Sequence, residues 1–232
     1  MADDVALTEQ LDYYRARAHE YDQWWYRQGR YDRGVEANER WFSESAEVVS
    51  ALDLFRPSGH VLELACGTGI WSERLASFAS RLVVVDGSTE MLEIAKRRLN
   101  SSSVRYVEAN IFDWAPDETF DTVFFSFWLS HVPPERFAEF WGLVGRCLAP
   151  GGRVFFVDSR HEPTSTALDH RLPGSDAITL RRRLNDGREF QIYKIFYKGA
   201  ELETKLKALG WSATVTETER YFIYGQSERK GA

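Results

Sequence analysis

The sequence of 232 residues predicts an α/β fold in which a mostly parallel sheet carries helices on both faces. Three observations lead there. Short apolar runs recur at Val61–Leu64, Leu82–Val85, Val104–Val107, Thr122–Phe127 and Arg153–Asp158, the pattern of strands buried on both sides. Stretches of helical periodicity separate most of them, as right-handed crossovers require. The first run ends in the turn Gly67-Thr68-Gly69 and the second in Asp86, the two strand tips at which a βαβ unit holds a nucleotide-like ligand.

Taken in order, residues 8 to 28 read as a helix with Thr8 as N-cap, since Leu11, Tyr14, Ala18, Tyr21 and Trp25 recur at helical spacing and Gly29 closes the run. Asn38 to Phe55 gives a second helix, which ends before Pro57-Ser58-Gly59. Ile70 to Ala79 and Glu90 to Leu99 are crossover helices, and Pro133-Pro134 opens another that runs to Leu148. Ser159 to Asp176 is polar and longer than an ordinary connection, which marks a lid or specificity element. Ile178–Leu184 and Arg188–Tyr197 flank Asn185-Asp186-Gly187 as a hairpin, with Phe190, Ile192, Lys194 and Phe196 on one face. Glu201 to Leu209 is a last helix, Ser212–Thr218 and Tyr221–Gly225 a last strand pair, and Ser227 onward a loose polar tail.

The chemistry gathers at the first turn. Gly67 and Gly69 let a ligand approach the backbone, and a helix starting near Ile70 aims its free N–H groups at it. Asp86 can accept from both hydroxyls of a ribose. A dinucleotide fingerprint needs a third glycine where Ser72 stands, and the Glu63 carboxylate suits a cationic ligand better than a diphosphate.

These residues resemble motif I, acid-x-x-x-G-x-G, of the class I S-adenosylmethionine-dependent methyltransferases. The resemblance continues in the family's order through VVVDGSTEML (83–92), VEANIFDW (107–114), FDTVFFSFWLSHVPP (120–134) and LAPGGRVFFVD (148–158). It implies a Rossmann-like seven-stranded, mostly parallel sheet with a helical N-terminal lid and a hairpin inserted after the fifth strand. It implies one domain over residues 1–232, divided into a lid (1–56), a cofactor-binding core (57–158), an insertion (159–198) and a closing helix and strand pair (199–232). The cofactor it implies is S-adenosylmethionine (SAM), with S-adenosylhomocysteine (SAH) as product. Glu63 would meet the ammonium end, with Ala65, Gly67 and Gly69 at the turn, Asp86 at the ribose and Asn110 with Ile111 at the adenine. Gly87, Met91 and Phe127 complete the expected cofactor contacts.

The acceptor would enter past Trp128 and His131, under Tyr14, Tyr21 and Trp25 of the lid and His161, Arg181 and Tyr193 of the insertion. Those aromatic residues equally suit a seam against the core. Asn110 also reads as a plain turn residue. His131 is the ionisable group best placed to act as general base, or else a capping histidine. Arg181 and Arg183 share one side of their strand, where they pair with an anionic substrate or simply face solvent.

The aromatic-rich composition suggests a small apolar or aromatic acceptor, methylated on oxygen. N- or C-methylation, a protein or nucleic-acid substrate, a non-catalytic cofactor binder and an NAD-dependent oxidoreductase stand as alternatives. With 29 basic against 35 acidic residues, the charge of −6 argues against nucleic acid. Cys66 and Cys147 are too few for a disulfide framework, and neither they nor the five histidines have metal-ligand spacing. No run is long enough to span a membrane and MADDVALTEQ does not read as a signal peptide, so a cytoplasmic protein is expected.

Overall fold

A computed structural model describes residues 2–229, with side chains from residue 5. Helices α1 (Ala2–Arg17), α2 (Tyr21–Trp25) and α3 (Val35–Phe55) precede strand β1 (Gly59–Leu64). Then follow α4 (Ile70–Ala76), β2 (Ala79–Asp86), α5 (Thr89–Leu99), β3 (Val104–Glu108), β4 (Phe120–Ser126), α6 (Phe137–Cys147) and β5 (Leu148–Ser159). The chain closes with β6 (Thr179–Arg183), β7 (Glu189–Tyr193), α7 (Gly199–Ala208), β8 (Trp211–Glu217) and β9 (Phe222–Arg229). Seven strands form one sheet in the order β3-β2-β1-β4-β5-β9-β8, with β1 to β5 parallel and β9 antiparallel to both its neighbours. The strand order reverses beside β1, so the carboxyl ends of β1, β2 and β4 face one crevice, where such folds bind ligands.

Strand alternation divides the core into two layers. Leu62, Val83, Phe125 and Phe156 face α6 and α7 with Phe140, Val144 and Leu206. Val61, Val84, Phe124 and Phe155 face α3 to α5 with Leu52, Leu75 and Leu92. Phe124 stacks on Phe155 and Phe125 on Phe156 at interplanar angles of 10° and 9°, one pair per face.

The N-terminal helix departs from expectation in three ways. It begins at Ala2, so Thr8 lies within it and not at its N-cap; it breaks into a 3₁₀ turn at Ala18–Glu20; and it resumes only over Tyr21–Trp25. The break sets Glu20, 1% exposed, to accept the Asn185 amide at 3.0 Å in the hairpin turn and to pair with Arg30 at 3.5 Å. A continuous helix would carry that carboxylate past its partners. The second helix starts three residues early, after Gly34 at φ 84°.

The hairpin forms a separate two-stranded sheet that packs Leu180, Leu184 and Ile192 around Tyr13 of α1. Its second strand stops at Tyr193 rather than Tyr197, because the Ile195 amide leaves the ladder to donate to the Ser130 carbonyl at 2.8 Å. The expected tail is ordered strand as far as Arg229, while residues 230 to 232 lie outside the described ones.

Trp41 ties the N-terminal segment to the sheet. It is fully buried among Trp24, Tyr221 and Phe222 and donates from Nε1 to the Trp25 carbonyl at 3.0 Å. Trp41→Ala is expected to lower unfolding free energy by about 3–5 kcal/mol in a denaturant titration, the usual cost of emptying so large a site.

Candidate functional site

Two residues other than glycine take left-handed backbone where the crevice opens: Ala65 (φ 54°) after β1 and Phe127 (φ 51°) after β4. Such conformations cost on the order of 1–3 kcal/mol and persist where the surrounding packing enforces them. Both line a cavity of about 370 Å³, large enough for a nucleoside-sized ligand.

The floor is built from backbone and one carboxylate. Asp86 is 9% exposed and accepts from the amides of Gly67 at 2.8 Å and Ser88 at 2.9 Å, one on each oxygen. Burial nevertheless pushes its pKa up to about 6, so it is ionised at neutral pH with lone pairs left for two further donors. Gly87, Met91, Ile111, Phe112 and Ser126 continue the lining. Asn110 is there too, but its Nδ2 donates to Asp113 at 2.5 Å and its Oδ1 accepts from the Phe112 amide at 3.2 Å, the bonds of a turn residue. Asp113, not singled out from the sequence, shares the same wall.

Two expected contacts do not reach this cavity. At Gly69 a Cβ would meet Ala95 of α5 at 3.1 Å, so this glycine serves the packing of α4 on α5, whereas a Cβ on Gly67 would point toward Tyr21 of the cavity wall, 3.9 Å away. Glu63 lies beneath the turn, 1% exposed, where its Oε2 accepts from Ser72 Oγ. Its Oε1 has no protein partner, and burial raises its pKa to about 8. Ser72, in the place of a third glycine, is what holds it.

Helix α1 roofs the cavity with Leu7, Gln10, Leu11 and Tyr14. Asp22 of α2 fastens the same segment to the floor, accepting from Thr68 Oγ1 at 2.6 Å and pairing with Arg98.

Tyr14, Tyr21, Phe127 and His131 also wall a second cavity of about 40 Å³. Here stand three cations: Arg17, Arg182 and Lys194. Lys194, 5% exposed, is neutralised by Asp158 at 3.2 Å and donates to Ser130 Oγ and Ser159 Oγ. Among the described residues, Arg17, 8% exposed, meets Tyr31 Oη at 3.3 Å and the faces of Tyr13, Tyr21 and Tyr31, and its Nε is unpartnered. Arg182 donates to Thr166 Oγ1 and to His170 Nδ1 at 3.1 Å. Among the described residues, no carboxylate lies within ion-pair distance of either guanidinium.

His131, 5% exposed, has both ring nitrogens engaged. Nδ1 lies 2.6 Å from the Tyr193 carbonyl, which can only accept, and Nε2 lies 2.7 Å from Tyr14 Oη. Burial, reinforced by the nearby Lys194, holds its pKa well below the usual imidazole value, so the ring is neutral, with its proton on Nδ1.

The remaining expected site residues lie elsewhere. Trp25, partly buried, packs on the core against Trp71, Trp41 and Phe222. His161 donates to the Pro173 carbonyl at 2.8 Å and props the ring of Phe196. Arg181 is exposed and pairs with Glu189, while Tyr193 contributes its backbone carbonyl. Strand alternation explains the exchange of Arg181 for Arg182: Leu180 and Leu184 mark the inward face, and the residue between them on that face is Arg182.

Residues 61–152 match a family described as a methyltransferase domain. The structure is similar to that of a DhpI–SAH complex, with 38% identity, a TM-score of 0.78 and coverage of 98% of each chain. It is equally similar to a DhpI–SAM–HEP complex, at 39% identity and TM-score 0.78 over 96% of this chain and 97% of that one. Among curated relatives, a cypemycin N-terminal methyltransferase of Streptomyces sp is 36% identical over 49% of this chain. A ubiquinone biosynthesis O-methyltransferase of Xanthomonas oryzae pv. oryzae (strain PXO99A) is 32% identical over 69% of it. The matches span 48% and 64% of those relatives' own lengths.

Because His131 is neutral when folded and takes up a proton once exposed, its contribution to stability is present above pH about 6.5 and is lost as the pH falls below that value. The raised carboxyls of Glu63 and Asp86 act in the opposite sense, so the comparison is made between variants. Between pH 7.5 and 5.5, wild type should lose more unfolding free energy than His131→Phe, by at most roughly 1.4 kcal/mol per pH unit. Parallel curves would show that His131 is not held neutral.

Proposed function

Because the chain belongs to the class I S-adenosylmethionine-dependent methyltransferases, we propose that it transfers the methyl group of SAM to an oxygen of a small anionic acceptor seated beside Arg17 and Arg182. One observation carries this reading: two guanidiniums with no carboxylate partner among the described residues, one of them 8% exposed, at a small cavity that shares a wall with the larger one. Desolvating a cation costs several kcal/mol, and an anion in that cavity recovers much of it. The aromatic side chains that suggested an apolar acceptor are engaged largely with one another, as in the Trp24, Trp25, Trp41 and Phe222 group. A cavity of about 40 Å³ favours a small molecule over a protein or nucleic acid.

When bound, SAM supplies a methyl group already activated by its sulfonium sulfur. In this proposal Asp86 accepts from the ribose hydroxyls, Ile111 and Met91 pack on the adenine, and Asn110 and Asp113 offer polar edges to it. Glu63, beneath the turn, supports it through Ser72. Arg17 and Arg182 orient the acceptor, Lys194 with Asp158 fixes the loop after β4 through Ser130, α1 covers both cavities, and the 159–198 insertion covers the smaller one. DhpI is represented in complex with SAM and HEP together, which is in keeping with two adjoining cavities.

The test separates the two cavities by calorimetry. Asp86→Ala should weaken SAH binding on the order of a hundredfold, since two hydroxyls lose a charged acceptor. Wild-type affinity for SAH should likewise fall as the pH drops through about 6, where Asp86 becomes neutral. Arg182→Met should leave SAH affinity within about threefold but weaken inorganic phosphate, a probe of the small cavity, on the order of a hundredfold. Phosphate affinity indifferent to Arg182 would sink the anionic reading.

A further inference from the structure

We propose that Tyr14 Oη is the one obligate hydrogen-bond acceptor facing the acceptor molecule, so that the site selects an oxyanion still carrying an O–H and Tyr14 receives its proton during transfer. This rests on the anionic-acceptor reading above. The chain of bonds leaves little freedom. The Tyr193 carbonyl accepts only, which places the His131 proton on Nδ1, 2.6 Å away. Nε2 is therefore bare, and the Tyr14 hydroxyl must donate its hydrogen to it across 2.7 Å. What Tyr14 keeps for the cavities it lines is lone pairs alone.

The geometry is held from both sides. Gln10, one helical turn before Tyr14, donates to the His131 carbonyl at 3.1 Å and accepts from the Tyr193 amide at 3.1 Å, so α1, the loop after β4 and β7 are in register. The charged groups around this pair are Arg17 on α1, Arg182 on β6 and Lys194 after β7, the last paired with Asp158 of β5. The guanidiniums and the ammonium can only donate. An acceptor oxyanion bound among them directs its unprotonated oxygens at the cations and its O–H at Tyr14.

In the transfer step the acceptor oxygen bonds to the methyl carbon as the carbon–sulfur pair returns to sulfur, leaving SAH. The proton released from that oxygen passes to Tyr14 Oη while the proton of Tyr14 crosses to His131 Nε2. The positive charge lost at sulfur is thereby carried by the imidazole, beside an anion that offsets the surrounding cations. His131 acts through Tyr14, as a positioning residue and proton store.

Hydrogenphosphate and sulfate distinguish the idea, since at pH 8 both are tetrahedral dianions and only the first carries an O–H. Titrated calorimetrically into the full chain saturated with SAH, wild type should bind phosphate at least about tenfold more tightly than sulfate, because sulfate leaves the Tyr14 lone pair facing an oxygen. In Tyr14→Phe the two affinities should fall to within about twofold of each other. In His131→Phe the Tyr14 hydrogen is freed to turn toward the anion, so sulfate should gain on phosphate. Sulfate bound as tightly as phosphate by wild type, or an unchanged ratio in both variants, overturns the assignment while leaving the anion site intact. Failure of both anions to bind overturns the anionic reading and this one with it.

Discussion

Two guanidinium groups with no carboxylate partner among the described residues set the terms on which the N-terminal third and the insertion fold together. Arg17 comes from the last turn of α1 and Arg182 from the middle of β6, and both line one cavity. Their charge is softened by the rings of Tyr13 and Tyr21 and by hydrogen bonds to Tyr31, Thr166 and His170, all neutral partners. Tyrosine faces and hydroxyls stabilise a buried cation without cancelling it. Much of the surrounding structure holds the two elements in that posture: the apolar cluster of Tyr13 with the hairpin, the Glu20 bridge to Asn185, and Gln10 stitched to Tyr193.

The same helix spans both cavities, and that links recognition of one ligand to the other. Leu11 presses on Gly87, where a Cβ would lie 3.0 Å from its Cδ1, and Tyr14 one turn later stands between the compartments. Asp22 secures the following segment to Thr68 and Arg98. Strain at Ala65 and Phe127 sits where the sheet opens beneath that roof. The rigid sheet thus supplies the cofactor floor, and the helical strap supplies the wall against which an acceptor is placed.

The parallel strands, the crossovers and the turn with its acid were legible because each rests on local pattern: apolar runs, helical periodicity, a glycine turn. Asp86, Gly67 and His131 fell in the cavity wall on that basis, and Ile111 through the family resemblance. The acceptor side was not legible, because it is assembled from residues distant in the chain whose roles depend on long-range contacts. Arg17 reads as one charge in a helix, and Lys194 as one position in a strand that the chain leaves at Tyr193. Arg182 was within reach, since Leu180 and Leu184 identify its face, but the neighbouring arginines drew attention outward. Gly69 and Trp25 show the reverse error: residues near the site in sequence that serve packing in the structure.

The most direct measurement is transfer of label from methyl-tritiated SAM to matched pairs of small acceptors that share a skeleton and differ only in carrying an ionised acid or its neutral ester or amide. Label should enter the charged member of a pair, at an oxygen, and the neutral partner should stay unlabelled. Equal labelling of both members, or labelling of neutral acceptors alone, would contradict an acceptor site organised around Arg17 and Arg182.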